Sequence, residues 1–120
     1  MSSIQNATDL VRQYLDARVA AHSVYATNIA NSETPNFHAK IPTFKAVLDH
    51  AASQQLGEEH WNVGVDFKPS RETTRGDGNN VNLEREMSAL AENSMNYLSA
   101  VKILTKEMAI ARYAATSGGR

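Results

Sequence analysis

There is no cysteine among the 120 residues, so disulfides and thiolate metal sites are excluded and no redox compartment is indicated. An excess of charge is missing too: 12 basic and 13 acidic residues give a formal net charge of −1, with no electrostatic reason to favour nucleic acid or an anionic membrane. The densest basic run, Lys68, Arg71 and Arg75, has no aromatic platform alternating with it, as a single-strand binder needs. No apolar run approaches transmembrane length. The stretch Met1 to Asn6 has neither the basic start nor the hydrophobic core of a signal peptide, so any export is expected by another route.

Catalytic signatures are lacking as well. His22, His38, His50 and His60 are dispersed without helical ligand spacing, and there is no HExxH, GxSxG, GxxxxGK or GxGxxG. Glu58-Glu59-His60 reads as a solvated patch, and Asp77-Gly78-Asn79-Asn80 lacks the spacing and terminal Glu of a calcium loop. Arg75-Gly76-Asp77 and Asn6-Ala7-Thr8 match short recognition triplets of the length that chance supplies. The expectation is a protein that is not an enzyme, with no cofactor, no metal, no nucleic-acid partner and no small-molecule substrate.

What is present is helical periodicity. Leu10, Tyr14, Ala17, Ala21, Val24, Asn28 and Asn31 follow at alternating steps of four and three, the period of a coiled-coil stripe. Pro35 lacks a backbone donor and its ring drives Thr34 out of the α region, so a helix beginning near Asp9 is expected to end close to Asn31 or Ser32. A second seam runs Leu83, Met87, Leu90, Ser94, Tyr97, Val101, Leu104, Met108 and Ala111, with Glu84, Arg85, Glu92, Asn96, Lys102, Lys106 and Arg112 opposite. Asn80 or Asn82 suits its N-cap, and Glu84 and Glu86 suit the positive end of its dipole. Arg112 suits the negative end, before Gly118-Gly119 stops the helix.

Between the seams, Thr43 to Ala52 reads as a short amphipathic helix behind Pro42, with Phe44, Val47, Leu48 and Ala51 inward. Trp61, Val63, Val65 and Phe67 alternate with polar or small residues, as in a half-buried strand, and Gly76-Asp77-Gly78 is turn chemistry. The organisation expected is one structural unit in three segments, 1–40, 41–80 and 81–120. Its fold class is mainly α, with two long terminal helices in an antiparallel coiled-coil-like bundle around a short irregular or β-containing middle.

Length then bears on function. A helix over residues 83–116 spans roughly 50 Å, whereas a compact chain of this size is roughly 35 Å across. The shorter first seam covers only part of the second, and each large apolar side chain left in water forfeits roughly 1.5–3 kcal/mol. The bundle is therefore expected to be shared with neighbouring subunits. Two readings fit: an assembly subunit, or a small helical adaptor docking a partner helix.

The residues themselves favour the first. Asn28-Ile29-Ala30-Asn31-Ser32-Glu33-Thr34-Pro35-Asn36-Phe37, followed by Phe44-Lys45-Ala46-Val47-Leu48, resembles the N-terminal signature of the flagellar rod and hook axial proteins. Asp77 to Met87, then Leu90-Ala91-Glu92-Asn93 and Tyr97, is similar to basal-body rod members of that family. Asn36 stands where the family usually has Gly, and His38 where a basic residue is common; Asn tolerates a left-handed turn.

The resemblance implies a structural subunit of the bacterial proximal rod in the periplasm, exported through the flagellar type III channel without a cleaved signal peptide. Its partners would be copies of itself, other rod proteins and the export-gate base. Interface residues are expected along Leu10, Tyr14, Ala17, Ala21 and Val24 and along Leu83, Met87, Leu90, Tyr97, Val101, Leu104 and Met108. Asn28 and Asn31 are expected to hydrogen-bond the corner or a neighbour, with Thr34, Pro35 and Phe37 setting the exit direction.

Overall fold

A computed structural model describes residues 3–117. The chain runs α1 (Ser3–Ala30), β1 (Lys40–Leu48), α2 (His50–Leu56), β2 (Trp61–Pro69) and α3 (Leu83–Ser117). The architecture is mainly helical, with two long helices flanking a two-stranded antiparallel sheet. Asn28 meets Glu86 and Arg18 meets Asn93, so α1 and α3 lie antiparallel. Pro35 has the expected effect: α1 stops at Ala30 and the chain continues as successive turns, Ser32 N–H to Ile29 O and Thr34 N–H to Asn31 O. The helix begins at Ser3 rather than near Asp9, and the added turn is tied to the hairpin connection by the Asn6 amide, which donates to Glu58.

The start of α3 matches expectation. The Asn82 side chain accepts the Arg85 N–H at 3.1 Å and its carbonyl accepts that of Glu86 at 3.0 Å, an N-cap with Glu84 and Glu86 in the first turn. At the other end the described last turn holds no basic residue, and Arg112 lies further back than a dipole contact needs. The Gly118-Gly119 stop lies outside the described residues.

The middle segment corrects the sequence reading. Residues 43–48 belong to a strand, and only the stretch beginning at His50 is helical. The run Pro42, Phe44, Ala46, Leu48 has period two, and it pairs in register with Phe67, Val65, Val63 and Trp61. β-Branched and aromatic side chains favour that pleated surface once a partner strand is available. Asp49 then caps α2 by accepting the Ala52 N–H at 3.0 Å, and Gly57, at φ 71°, ends it in the left-handed conformation. The alternation read at Trp61 to Phe67 is the register observed in β2.

The interior is unusual in what fills it. Among the described residues the buried apolar side chains are Ala17, Ala21, Ala39, Pro42, Val81 and Ala100, and the largest fully buried ones are Asn28 and Asn79. Small side chains bring the two helices together but bury little apolar area. The radius of gyration is 19.1 Å, with extents of 69 × 30 × 14 Å, against about 14 Å for a compact chain of this length. Accessible surface totals 8183 Å², whereas about 6,400 Å² suffices for a compact monomer of 13.2 kDa.

Candidate functional site

Two features share the molecule: a buried amide corner and a bare apolar flank. The corner forms where α1 ends. The Asn28 amide donates to Lys40 O at 2.8 Å and to Glu86 Oε2 at 3.0 Å, while its oxygen accepts the Lys40 N–H at 3.2 Å. A side chain only 1% exposed thus ties α1 to β1 and to the first turn of α3. Asn31 works locally, donating to Thr27 O at 2.8 Å and accepting from the Thr34 hydroxyl at 3.1 Å.

The loop before α3 completes the corner from the other side. The Asn79 amide donates to both Asn31 O and Thr34 O at 2.8 Å, clamping the turns that follow α1. Its oxygen takes the Val81 N–H at 2.7 Å. Asn80 accepts the Ala39 N–H at 2.7 Å and donates its own backbone N–H to Phe37 O at 3.2 Å. Asn36 adopts φ 62°, the left-handed conformation expected for it, and its N–H reaches Asp77 O at 2.9 Å. Each buried amide of the corner is hydrogen-bonded, which is the condition for a polar group to be tolerated in an interior.

Arg18 forms a second knot. Its guanidinium stacks on Phe44, 3.8 Å from the ring centroid, stands 4.9 Å from that of Tyr14, and donates to Asn93 Oδ1 at 3.0 Å. Asn93 returns a bond to Arg18 O at 2.9 Å, so α1, β1 and α3 meet at one side chain. Burial pushes the nearby Tyr25 phenol above its ordinary pKa; Arg18 opposes the shift, and Glu86 and Glu92 add to it.

On α1, Leu10, Tyr14, Val24 and Asn31 are half-buried, and Ala17, Ala21 and Asn28 are buried. On α3, Leu90, Tyr97, Val101 and Leu104 are half-buried, but Leu83, Met87 and Met108 are exposed. The row turned fully inward is Glu86, Asn93 and Ala100, one step round the helix from the stripe read in the sequence. Thr34 and Pro35 lie at the surface and Phe37 is half-buried.

The displaced stripe leaves α3 apolar on a flank that α1 does not cover. Met87, Met95 and Leu98 on α3 and Val19 on α1 are exposed, Met95 by 70%. A groove of about 340 Å³ between the helices is lined by Arg18, Val19, His22, Ser94, Tyr97 and Leu98. Towards its end α3 exposes Ile110 and, by 72%, Tyr113. Sequence reasoning did not assign Arg18, Asn79, Asn80, Glu86 and Asn93 their tertiary partners. The one signal was the density of amides between Asn79 and Asn82, which reads equally well as turn and cap chemistry.

No group of three or more His, Asp or Glu side chains among the described residues is arranged to hold a metal ion. No described helix is long and apolar enough to cross a membrane. In the Arg75-Gly76-Asp77 turn the arginine bonds Ser32 O and lies 3.7 Å from the aspartate, so the triplet braces the corner.

No protein-family model matches the chain. It is similar to proteins named flagellar basal body rod protein FlgB. With that of Borrelia hermsii it is 34% identical over 119 residues, covering 81% of this chain and 86% of the relative. With that of Bacillus subtilis (strain 168) it is 35% identical over 89 residues, covering 66% and 69%. With that of Aeromonas hydrophila it is 28% identical over 111 residues, covering 82% and 84%.

Proposed function

Since the chain belongs to the FlgB family of flagellar basal body rod proteins and is a structural subunit of that rod, we propose that neighbouring subunits supply the cover its own fold lacks. The observation that carries this reading is the inversion of the usual interior. Alanines and amides are buried, while Met87, Met95, Leu98, Ile103 and Ile110 stand in water. The surface excess of this one chain over a compact monomer, about 1,800 Å², is twice the roughly 800 Å² that one partner contributes to a standard interface, as contacts with two neighbours would need.

The partners on this reading are further copies of the chain, other rod proteins and the base of the export apparatus. Leu90, Tyr97, Val101 and Leu104 are shared between α1 and those neighbours, and Leu83, Met87 and Met108 belong to the neighbours alone. Contacts that do not close into a simple ring extend into a helical shaft. Transmitting torque then requires packed helices and no chemistry, so the chain acts without catalysis, cofactor or metal. Segments 1–40, 41–80 and 81–120 work as one unit, joined at the amide corner. On this reading the rod lies in the periplasm, and the chain reaches it through the flagellar export channel.

Complementation of a rod-deficient strain tests this. The unaltered chain restores basal bodies and swimming, and Leu104→Asp, which places a charge on the shared face, abolishes both. Basal bodies built normally by the Leu104→Asp chain would overturn the reading, as would a purified chain that is a monodisperse, fully protected dimer with no larger assembly.

A further inference from the structure

A cleft lies away from the apolar flank, between the base of the hairpin and the first turns of α3. It encloses about 860 Å³, and its lining includes Ile41 and Thr43 of β1, Lys68 at the end of β2, Arg71 and Thr73 of the following loop, and Arg85 of α3. On the hairpin, Lys45 pairs with Asp66 on the same sheet face. At the cleft, two of three basic side chains have no such partner. Arg85 pairs with Glu72, while no carboxylate among the described residues forms an ion pair with Lys68 or Arg71.

The rim is also braced. Glu72 donates its backbone N–H to the Ser70 hydroxyl at 3.1 Å, and Ser70 donates its own N–H to Ala39 O at 2.8 Å, so the loop bearing Arg71 is tied to the corner. Behind it a pocket of about 140 Å³ shares Ile41, Ser70, Glu72 and Arg85 and reaches Tyr25 and Glu86. The result is a cleft continuous with a smaller pocket, with apolar and hydroxyl walls and a rim on which basic side chains outnumber Glu72.

Building on the rod reading, we propose that this cleft docks an extended, carboxylate-bearing segment of a different protein in the assembly. Lys68 and Arg71 pair with its acidic side chains, and Arg85 exchanges Glu72 for an incoming carboxylate. Complementary charge sets the partner, since a rim of like charge excludes basic segments and steers acidic ones. A second copy of the chain is poorly suited. Its only adjacent pair of acidic residues is Glu58-Glu59. Glu58 already accepts from Asn6, and Glu59 from the Trp61 indole.

Two measurements test the proposal. In the complementation strain, Lys68→Glu with Arg71→Glu abolishes swimming at normal subunit levels, whereas Lys68→Arg with Arg71→Lys preserves it. Swimming by the charge-reversed strain overturns the proposal. Failure of the unaltered chain to complement overturns the rod reading itself. In solution, the full-length chain is titrated with hexaglutamate, hexalysine and inorganic phosphate while its amide resonances are followed. Hexaglutamate shifts Ile41, Thr43, Thr73 and Arg85, and the two reversals weaken its binding at least about tenfold. Equal shifts with hexalysine, saturation by phosphate alone, or no shift at these residues overturns it. So does displacement of hexaglutamate by a second copy of the chain.

Discussion

Gly78 sits against Asn36 so closely that a Cβ on the glycine would overlap the asparagine side-chain oxygen. Both residues are left-handed, at φ 84° and φ 62°, and their loops are joined by the Asn36 N–H to Asp77 O bond. Gly78→Ala therefore meets two penalties, backbone strain and overlap, and should cost about 2–4 kcal/mol. Asn36→Gly should be near neutral, because relief of left-handed strain is offset by the entropy of a freer unfolded chain. In the double variant the overlap is gone, so the combined loss in urea unfolding should fall short of the sum by about 1 kcal/mol or more.

Asn28→Ala leaves the Lys40 N–H and the buried Glu86 carboxylate without their partner, at a cost of roughly 2–4 kcal/mol. Asn28→Asp is worse at neutral pH, since it sets two carboxylates together where 3.0 Å separates an amide from one now. The sign follows from proton binding: folding would then favour an added proton, so this variant should regain stability as pH falls towards roughly 4. Thermal melts of both variants across pH distinguish the two, because Asn28→Ala introduces no new titrating group.

Arg18 holds three elements through one planar group, so its loss should be felt at all three. Arg18→Ala removes the stacking on Phe44 and the bond to Asn93 and should cost about 2–3 kcal/mol. Arg18→Lys keeps the charge without the planar face and should fall about midway. Hydrogen exchange provides the check: protection should drop in β1 as well as along the α1 and α3 pairing, whereas a purely helix–helix role would spare β1.

The Asp49 carboxyl is held below the usual carboxylate range, first by the Ala52 N–H and then by the Asn62 amide and His60. A depressed folded pKa means that its stabilisation is present above the unfolded value of about 3.9 and is lost as pH falls through the folded one. The α2 turn should therefore loosen only in acid, with the Ala52 amide resonance as reporter. Asp49→Asn, which retains an accepting oxygen, should remove that acid transition.

Local signals in the chain were enough to place the long helices, the end of α1 before Pro35, an asparagine cap at position 80 or 82, the left-handed turn at Asn36 and the alternation of β2. Each depends on neighbours within a few residues: a missing N–H, a short polar side chain, a period of two or of 3.6. Residues 43–48 show where this runs out. So short an apolar run fits either period, and pairing with residues 61–66 decided for the strand.

Sequence by itself determined the family, the antiparallel two-helix plan and the shortage of cover, because these follow from periodicity, motif and length. Only the tertiary structure decided which row of α3 faces α1. The apolar stripe of Leu83, Met87 and Met108 was the stronger local pattern, yet Glu86 and Asn93 turn inward because Asn28 and Arg18 wait for them 58 and 75 residues away. A buried amide looks like a surface residue until its partners are known, since what makes it tolerable inside is a hydrogen bond that the fold alone supplies.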